Sequence, residues 1–184
     1  MKSVYITLMG RSGWAVVNSF YASIIETDYR PDEIFVIYEK AYQESVKPVM
    51  KGLELIQETY GESNIQGKIV PDWDTITAGK AALDLVNAAK EDGASVALDI
   101  TGGRKALVSG SLLALKNSKL EHVYYLAIDS LEGAARPYPL IPKRHQQLFD
   151  IITNQVQTGK SSFGSKVSGS TRIPRLIANF LWTY

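Results

Sequence analysis

Apolar residues fall into two alternating rhythms along this chain. Short, nearly continuous apolar runs occupy Val4 to Met9, Ile34 to Tyr38, Ser95 to Ile100 and His122 to Ile128, and a weaker one spans Gln66 to Val70. Runs of this length, bounded by turn residues, predict buried strands. Between them the spacing turns helical. Val17, Phe20, Tyr21 and Ile24 share one face, as do Leu53, Ile56 and Tyr60. Ile76, Leu83, Val86 and Ala89 form a third such set, and Leu107, Val108, Ser111, Leu112 and Leu115 a fourth. Pro48 suits a first helical turn, Gly61 a C-cap, Asp72 or Asp74 an N-cap, and Gly93 the end of the third helix.

Strand and helix alternating in this way predict an α/β fold, a Rossmann-like, doubly wound and mostly parallel sheet covered by helices on both faces. Right-handed crossovers then favour a doubly wound arrangement, for which the strand order 3-2-1-4-5 is expected. The stretch from Arg136 to Pro142 holds three prolines, which restricts it to an edge strand 6 or an irregular crossing. We divide the chain into a ligand-binding domain over 1–142 and a C-terminal helical extension over 143–184. In the extension a helix is expected from Lys143 to Val156. A Gly/Ser/Lys-rich loop from Thr158 to Thr171 and a short apolar helix from Ile173 follow. That loop has the make-up of a lid over an anionic site, or of a tail with a packing helix behind it.

Composition narrows the chemistry. The 184 residues are 45% hydrophobic and 21% charged, with a formal net charge of +1. That balance argues against a binder of duplex nucleic acid but leaves room for a small basic pocket. The absence of cysteine removes disulfides, thiolate catalysis and the usual structural zinc sites. No run reaches the length of a membrane span and the N-terminus is not patterned as a signal peptide, so a cytoplasmic protein is expected. His122 opens a strand and His145 lies in the expected helix, and no His/Asp/Glu cluster has metal-ligand spacing.

In the order 3-2-1-4-5, the carboxyl ends of strands 1 and 4 flank the switch point where open α/β sheets bind ligands. Two glycine-containing turns fall there. The second, after strand 4, runs from Asp99 through Thr101, Gly102, Gly103, Arg104 and Lys105 to Ala106. Its glycines permit positive φ and close approach of a ligand, and the helix that follows offers free N–H groups. Thr101 adds a hydroxyl, Arg104 and Lys105 add charge, and Asp99 can brace the turn. The first turn, Gly10, Arg11, Ser12 and Gly13, offers a serine and an arginine. Both turns also have a plainer reading as ordinary strand-to-helix connections. Trp14, next to the first turn, either stacks on a base or packs at a helix start. Neither turn matches a dinucleotide fingerprint or a Walker loop.

The turn from Asp99 to Lys105, with its amphipathic helix, resembles the signature of the CRISPR-associated Rossmann-fold (CARF) domains. The turn from Gly10 to Trp14 sits where that family has its other ligand loop. The resemblance covers roughly residues 1–142. It implies a homodimer that binds a cyclic oligoadenylate across its interface, with ligand contacts from Gly10, Arg11, Gly13, Trp14, Thr101, Gly102, Gly103, Arg104 and Lys105. With 184 residues there is no room for an appended nuclease. The chain therefore resembles the standalone ring nucleases, which cleave cyclic tetra-adenylate without metal or cofactor to linear products with 2′,3′-cyclic phosphate ends. By that resemblance Ser12 positions the reacting group, and Lys166, in preference to Lys160, stabilises the developing charge or protonates the leaving oxygen. The alternatives are a non-catalytic sensor or transcription regulator, the CARF part of a longer effector, or a binder of an unrelated nucleotide.

Overall fold

The computed structural model describes residues 1–129, 135–153 and 155–157. Parallel strands β1 (Ser3–Met9), β2 (Glu33–Glu39), β3 (Asn64–Val70), β4 (Ser95–Asp99) and β5 (His122–Ile128) alternate with helices α1 (Gly13–Thr27), α2 (Val46–Tyr60), α3 (Thr75–Glu91) and α4 (Lys105–Ala114). Two further strands, β6 (Gln146–Asp150) and β7 (Gln155–Gln157), complete a sheet of order β3-β2-β1-β4-β5-β6-β7. The expected order of the first five strands is therefore the observed one, and the fold is the doubly wound, Rossmann-like α/β sheet.

Central β1 shows why the strand runs are apolar throughout. Alternate side chains leave opposite faces of a strand, and both faces here are covered. Tyr5 and Met9 pack with Phe20, Ile24, Leu53 and Ile56 of α1 and α2. Val4, Ile6 and Leu8 pack with Ala78, Ala82, Val86 and Leu107 of α3 and α4. All five of these β1 side chains are fully buried. The caps are also as the sequence indicates: Asp74 accepts from Thr77 N at the start of α3 (2.9 Å), and Gly61 caps α2. The second helix starts earlier than expected, at Val46, with Pro48 still in its first turn.

The expected helix over Lys143 to Val156 is not formed. A short 3₁₀ turn at Lys143–His145 leads instead into β6, antiparallel to β5, and a turn then leads to β7. Leu148, Ile151 and Ile152 have spacing compatible with a helix, but only Leu148 is buried, while Ile151 and Ile152 are each 54% exposed. Without β6 the backbone of β5 would be an open edge. Pairing satisfies it, and Asp150 at the end of β6 accepts from His122 Nδ1 (2.8 Å) and Val123 N (3.2 Å). This tertiary pairing outweighs local helical spacing. Residues 136–142 form the irregular crossing, with Tyr138 buried against α1 and Tyr138 N bonded to Asn18 Oδ1 (2.9 Å). The sheet thus extends to residue 157. The glycine-rich loop, both of its lysines named above and the terminal apolar segment lie outside the described residues.

Candidate functional site

The two glycine turns meet at the carboxyl ends of β1 and β4, which are adjacent in the sheet. Gly10 N donates to Gly102 O at 2.7 Å, joining them directly. Gly10 and Gly102 are required by the close approach of other parts of the protein, and Gly102 and Gly103 do not use the positive φ open to them. Among the described residues Gly93 (φ 69) is the one glycine in the left-handed region. A Cβ on Gly102 would lie 2.8 Å from the Leu8 carbonyl oxygen and 2.7 Å from Val16 Cγ2. A Cβ on Gly10 would lie 2.8 Å from Gly102 O. Side chains at either position would push the turns apart.

Asp99 is the brace beneath them. It is fully buried and its carboxylate accepts from Thr7 Oγ1 (2.8 Å), Ser19 Oγ (2.5 Å), Thr101 N (3.0 Å) and Thr101 Oγ1 (2.6 Å). One carboxylate thus ties β1, α1 and the β4 turn together. Burial pushes its pKa above the ordinary 3.8, against the downward pull of the hydrogen bonds from Ser19, Thr101 and Thr7. Thr101 is consequently not a free donor. Its hydroxyl donates to Asp99 and accepts from Leu126 N (2.9 Å), so its role in the structure is to hold the turn.

Arg104 also differs from its expected role as a free cation. Its Nη1 pairs with Glu39 Oε2 at 3.3 Å, with both side chains largely buried. Its guanidinium carbon lies 3.4 Å from the centroid of the Trp73 ring and 5.9 Å from that of Tyr42. The second Glu39 oxygen accepts from Trp73 N (2.8 Å). The exposed charges at the turns are Arg11 and Lys105, which engage no described side chain. Ser12 is exposed at the N-cap of α1, where its Oγ accepts from Ala15 N (3.3 Å) and its own proton is left to donate. Gly13 packs against α2, where a Cβ would lie 2.7 Å from Val49 Cγ2, and Trp14 is half-buried in the first turn of α1. Gly103 presses on Leu8 and Val108.

The structure therefore brings together Gly10 to Trp14 and Thr101 to Lys105 at one end of the sheet, with the N-termini of α1 and α4 beside them. Glu39, Tyr42 and Trp73 join this end without having been singled out from sequence. The available signal was a tryptophan between two aspartates just past the end of β3. Among the described residues no group of three or more His, Asp or Glu side chains is placed to hold a metal ion. No described helix is long and apolar enough to cross a membrane.

No family model and no curated protein matches this sequence. Solved structures do match in fold. Can2 from Sulfobacillus thermosulfidooxidans, in complex with cyclic tetra-adenylate, superposes with a TM-score of 0.58 at 12% identity, over 84% of this chain and 36% of that one. A type III CRISPR defence DNA nuclease activated by cyclic oligoadenylate gives 0.57 at 13% identity, over 85% and 20%. Csm6 from Enterococcus italicus, bound to cyclic hexa-2′-fluoro-hexa-dAMP, gives 0.55 at 12% identity, over 72% and 34%. This chain spans between a fifth and just over a third of those proteins, and at these identities the likeness is one of fold, a Rossmann-like sheet.

Proposed function

We propose that this chain is a ring nuclease of type III CRISPR antiviral signalling. It binds cyclic tetra-adenylate across a homodimer interface and cleaves it without metal, switching the signal off. The observation that carries this reading is the direct joining of the two turns, Gly10 N to Gly102 O, at the switch point of the sheet. The bound states of the proteins that share its fold support it. Two-fold symmetry of a closed dimer would double the pair of turns to match a cyclic ligand.

The chemistry needs little from side chains. A ribose 2′-oxygen attacks the adjacent phosphorus as its proton passes to solvent water. The O2′–P bond forms, the P–O5′ bond breaks, and the 5′-oxygen takes up a proton. The product is linear and ends in a 2′,3′-cyclic phosphate, with no water consumed. The protein supplies in-line geometry and stabilises charge on the phosphoryl oxygens. Ser12, with its proton free, orients the reacting group. Arg11, Lys105 and the N–H groups at the start of α4 face the anion, and Lys166 protonates the leaving oxygen.

Incubating the protein with excess cyclic tetra-adenylate in EDTA, with products resolved by chromatography and mass spectrometry, tests this. Linear products with 2′,3′-cyclic phosphate ends are expected. Unchanged ligand would overturn cleavage. A second reading, a sensor that binds without turnover, is favoured by one observation: the acids beside the turns, Asp99 and Glu39, have both oxygens engaged and offer no general base. Tight binding with no linear product selects it.

A further inference from the structure

Trp73 combines three properties that packing does not require. Its side chain is large and the residue is 69% exposed. Its backbone has φ 63, a region that non-glycine residues rarely occupy and that is held only where surrounding contacts enforce it. Those contacts are specific. Glu39, the last residue of β2, accepts from Trp73 N with one oxygen and from Arg104 Nη1 with the other. Arg104 in turn lies against one face of the indole, its Cζ 3.4 Å from the ring centroid. A buried carboxylate thus fixes both members of a guanidinium–indole stack and orients the ring without covering it.

The position of that stack follows from topology. Trp73 follows β3, Arg104 follows β4, and β2 and β1 lie between those strands. The two side chains therefore meet over the carboxyl ends of β2 and β1, beside the joined turns. Arg104 belongs to both features, its backbone in the phosphate turn and its guanidinium under the indole. The two are separated by about the reach of one arginine side chain, comparable to the span between the phosphate and the base of one nucleotide. Arginine beneath and solvent above leave the indole an open π-face, the surface on which nucleobases stack.

We propose that Trp73, held by Glu39 and Arg104, is the stacking platform for an adenine base of a ring whose phosphate lies on the Gly10 and Gly102 turns, an inference that rests on the reading that a cyclic oligoadenylate binds there. Glu39 and Arg104 are positioning residues for the ring of Trp73. The exposed ring makes Trp73 replaceable without loss of the core.

The test is calorimetric titration of the full chain, its Trp73→Phe and its Trp73→Ala variants with 2′-fluoro cyclic tetra-adenylate, which lacks the attacking hydroxyl and stays intact. Circular dichroism and sedimentation of each unliganded variant accompany it. Losing one stacked base weakens binding by about 5- to 150-fold, and a homodimer around one ring carries two Trp73 platforms, so Trp73→Ala is expected to weaken binding by at least about 25-fold. Trp73→Phe, which keeps a ring, is expected within about fivefold of the parent. The ligand should quench tryptophan fluorescence in the parent and much less in Trp73→Phe. If the parent binds and Trp73→Ala binds equally well, stacking is wrong while the cyclic-oligoadenylate reading stands. If the parent binds no cyclic oligoadenylate, that reading falls and stacking with it. If Trp73→Ala changes the oligomeric state without ligand, Trp73 is a protein contact and the platform is overturned.

Discussion

Removing the Asp99 carboxylate should loosen the fold and the site together. In Asp99→Ala the hydroxyl of Thr7 and both donors of Thr101 lose their acceptor, whereas Ser19 Oγ retains the Val16 carbonyl at 3.1 Å. Each buried donor left unmatched costs about 1–3 kcal/mol. Two or three of them, offset by the relief of no longer burying a carboxylate, leave a net loss of about 3 kcal/mol. In a domain of this size that lowers Tm by about 6–12 °C. Because the same bonds hold the Gly102 turn to β1, affinity for cyclic tetra-adenylate should fall as well. Asp99→Asn keeps an acceptor for Thr101 and can donate to Thr7 and Ser19, so its loss should be smaller, about 1 kcal/mol.

The same residue makes a signed pH prediction. Its pKa in the folded protein is raised above the ordinary 3.8, chiefly by burial. Within the window between those two values the folded state holds more protons than the unfolded, so stability falls as pH rises. The advantage of the parent over Asp99→Asn should be full below about pH 3.8 and shrink as pH rises through the folded pKa. Urea unfolding of both proteins from pH 4 to 8 measures it, since subtraction cancels the other carboxylates. A difference that is constant or grows with pH would refute the buried-carboxylate account. An Asp99→Ala variant as stable as the parent, binding as tightly, would refute the brace itself.

Gly102→Ala should reduce stability by about 1–3 kcal/mol, because its methyl meets the Leu8 carbonyl and Val16; calorimetric titration should show weaker binding than the lost stability alone explains. Ser12→Gly retains most of the N-cap of α1, so its Tm should stay near that of the parent while the rate of linear-product formation falls at least tenfold. Asp150→Asn tests the far end of the sheet. Burial raises the Asp150 pKa, but hydrogen bonds from His122, Thr153 and Val123 N outweigh it and hold the group below the ordinary 3.8. The parent's advantage over this variant should be present above pH 3.8 and vanish as pH falls through the depressed value, as read by acid-induced loss of circular dichroism.

Much of this was legible in the chain because it is local. Apolar runs such as Val4 to Met9, separated by helical spacing and caps, point to a parallel sheet, and right-handed crossovers favour the doubly wound arrangement. Asp99 could be read as a brace because it precedes a turn whose N–H it can reach. Non-local contacts were not legible. That Thr7 and Ser19 complete the shell of Asp99 depends on β1 and α1 lying beside β4, 92 and 80 residues away in sequence. That residues 146–150 form a strand depends on the open edge of β5. Helical spacing at Leu148, Ile151 and Ile152 carries no trace of that edge. The contacts that require glycine at 102 were not legible, since the approach of Leu8 and Val16 cannot be read from the turn's own residues.

The same limit applies to charge, where it alters how the site works. Sequence counts Arg11, Arg104 and Lys105 as three cations at the turns. The structure pairs Arg104 with Glu39, a residue 65 positions away, and sets its guanidinium against the Trp73 ring. Under the proposed function, anion recognition would fall to Arg11, Lys105 and the N–H groups at the starts of α1 and α4. Those N–H groups are fixed dipoles that keep their orientation whether or not a ligand is bound. On that proposal, a protein of net charge +1 would hold a polyanionic ring without a basic surface. The charge that would matter is then oriented backbone, held in place because the glycines at 10 and 102 let the two turns pack together.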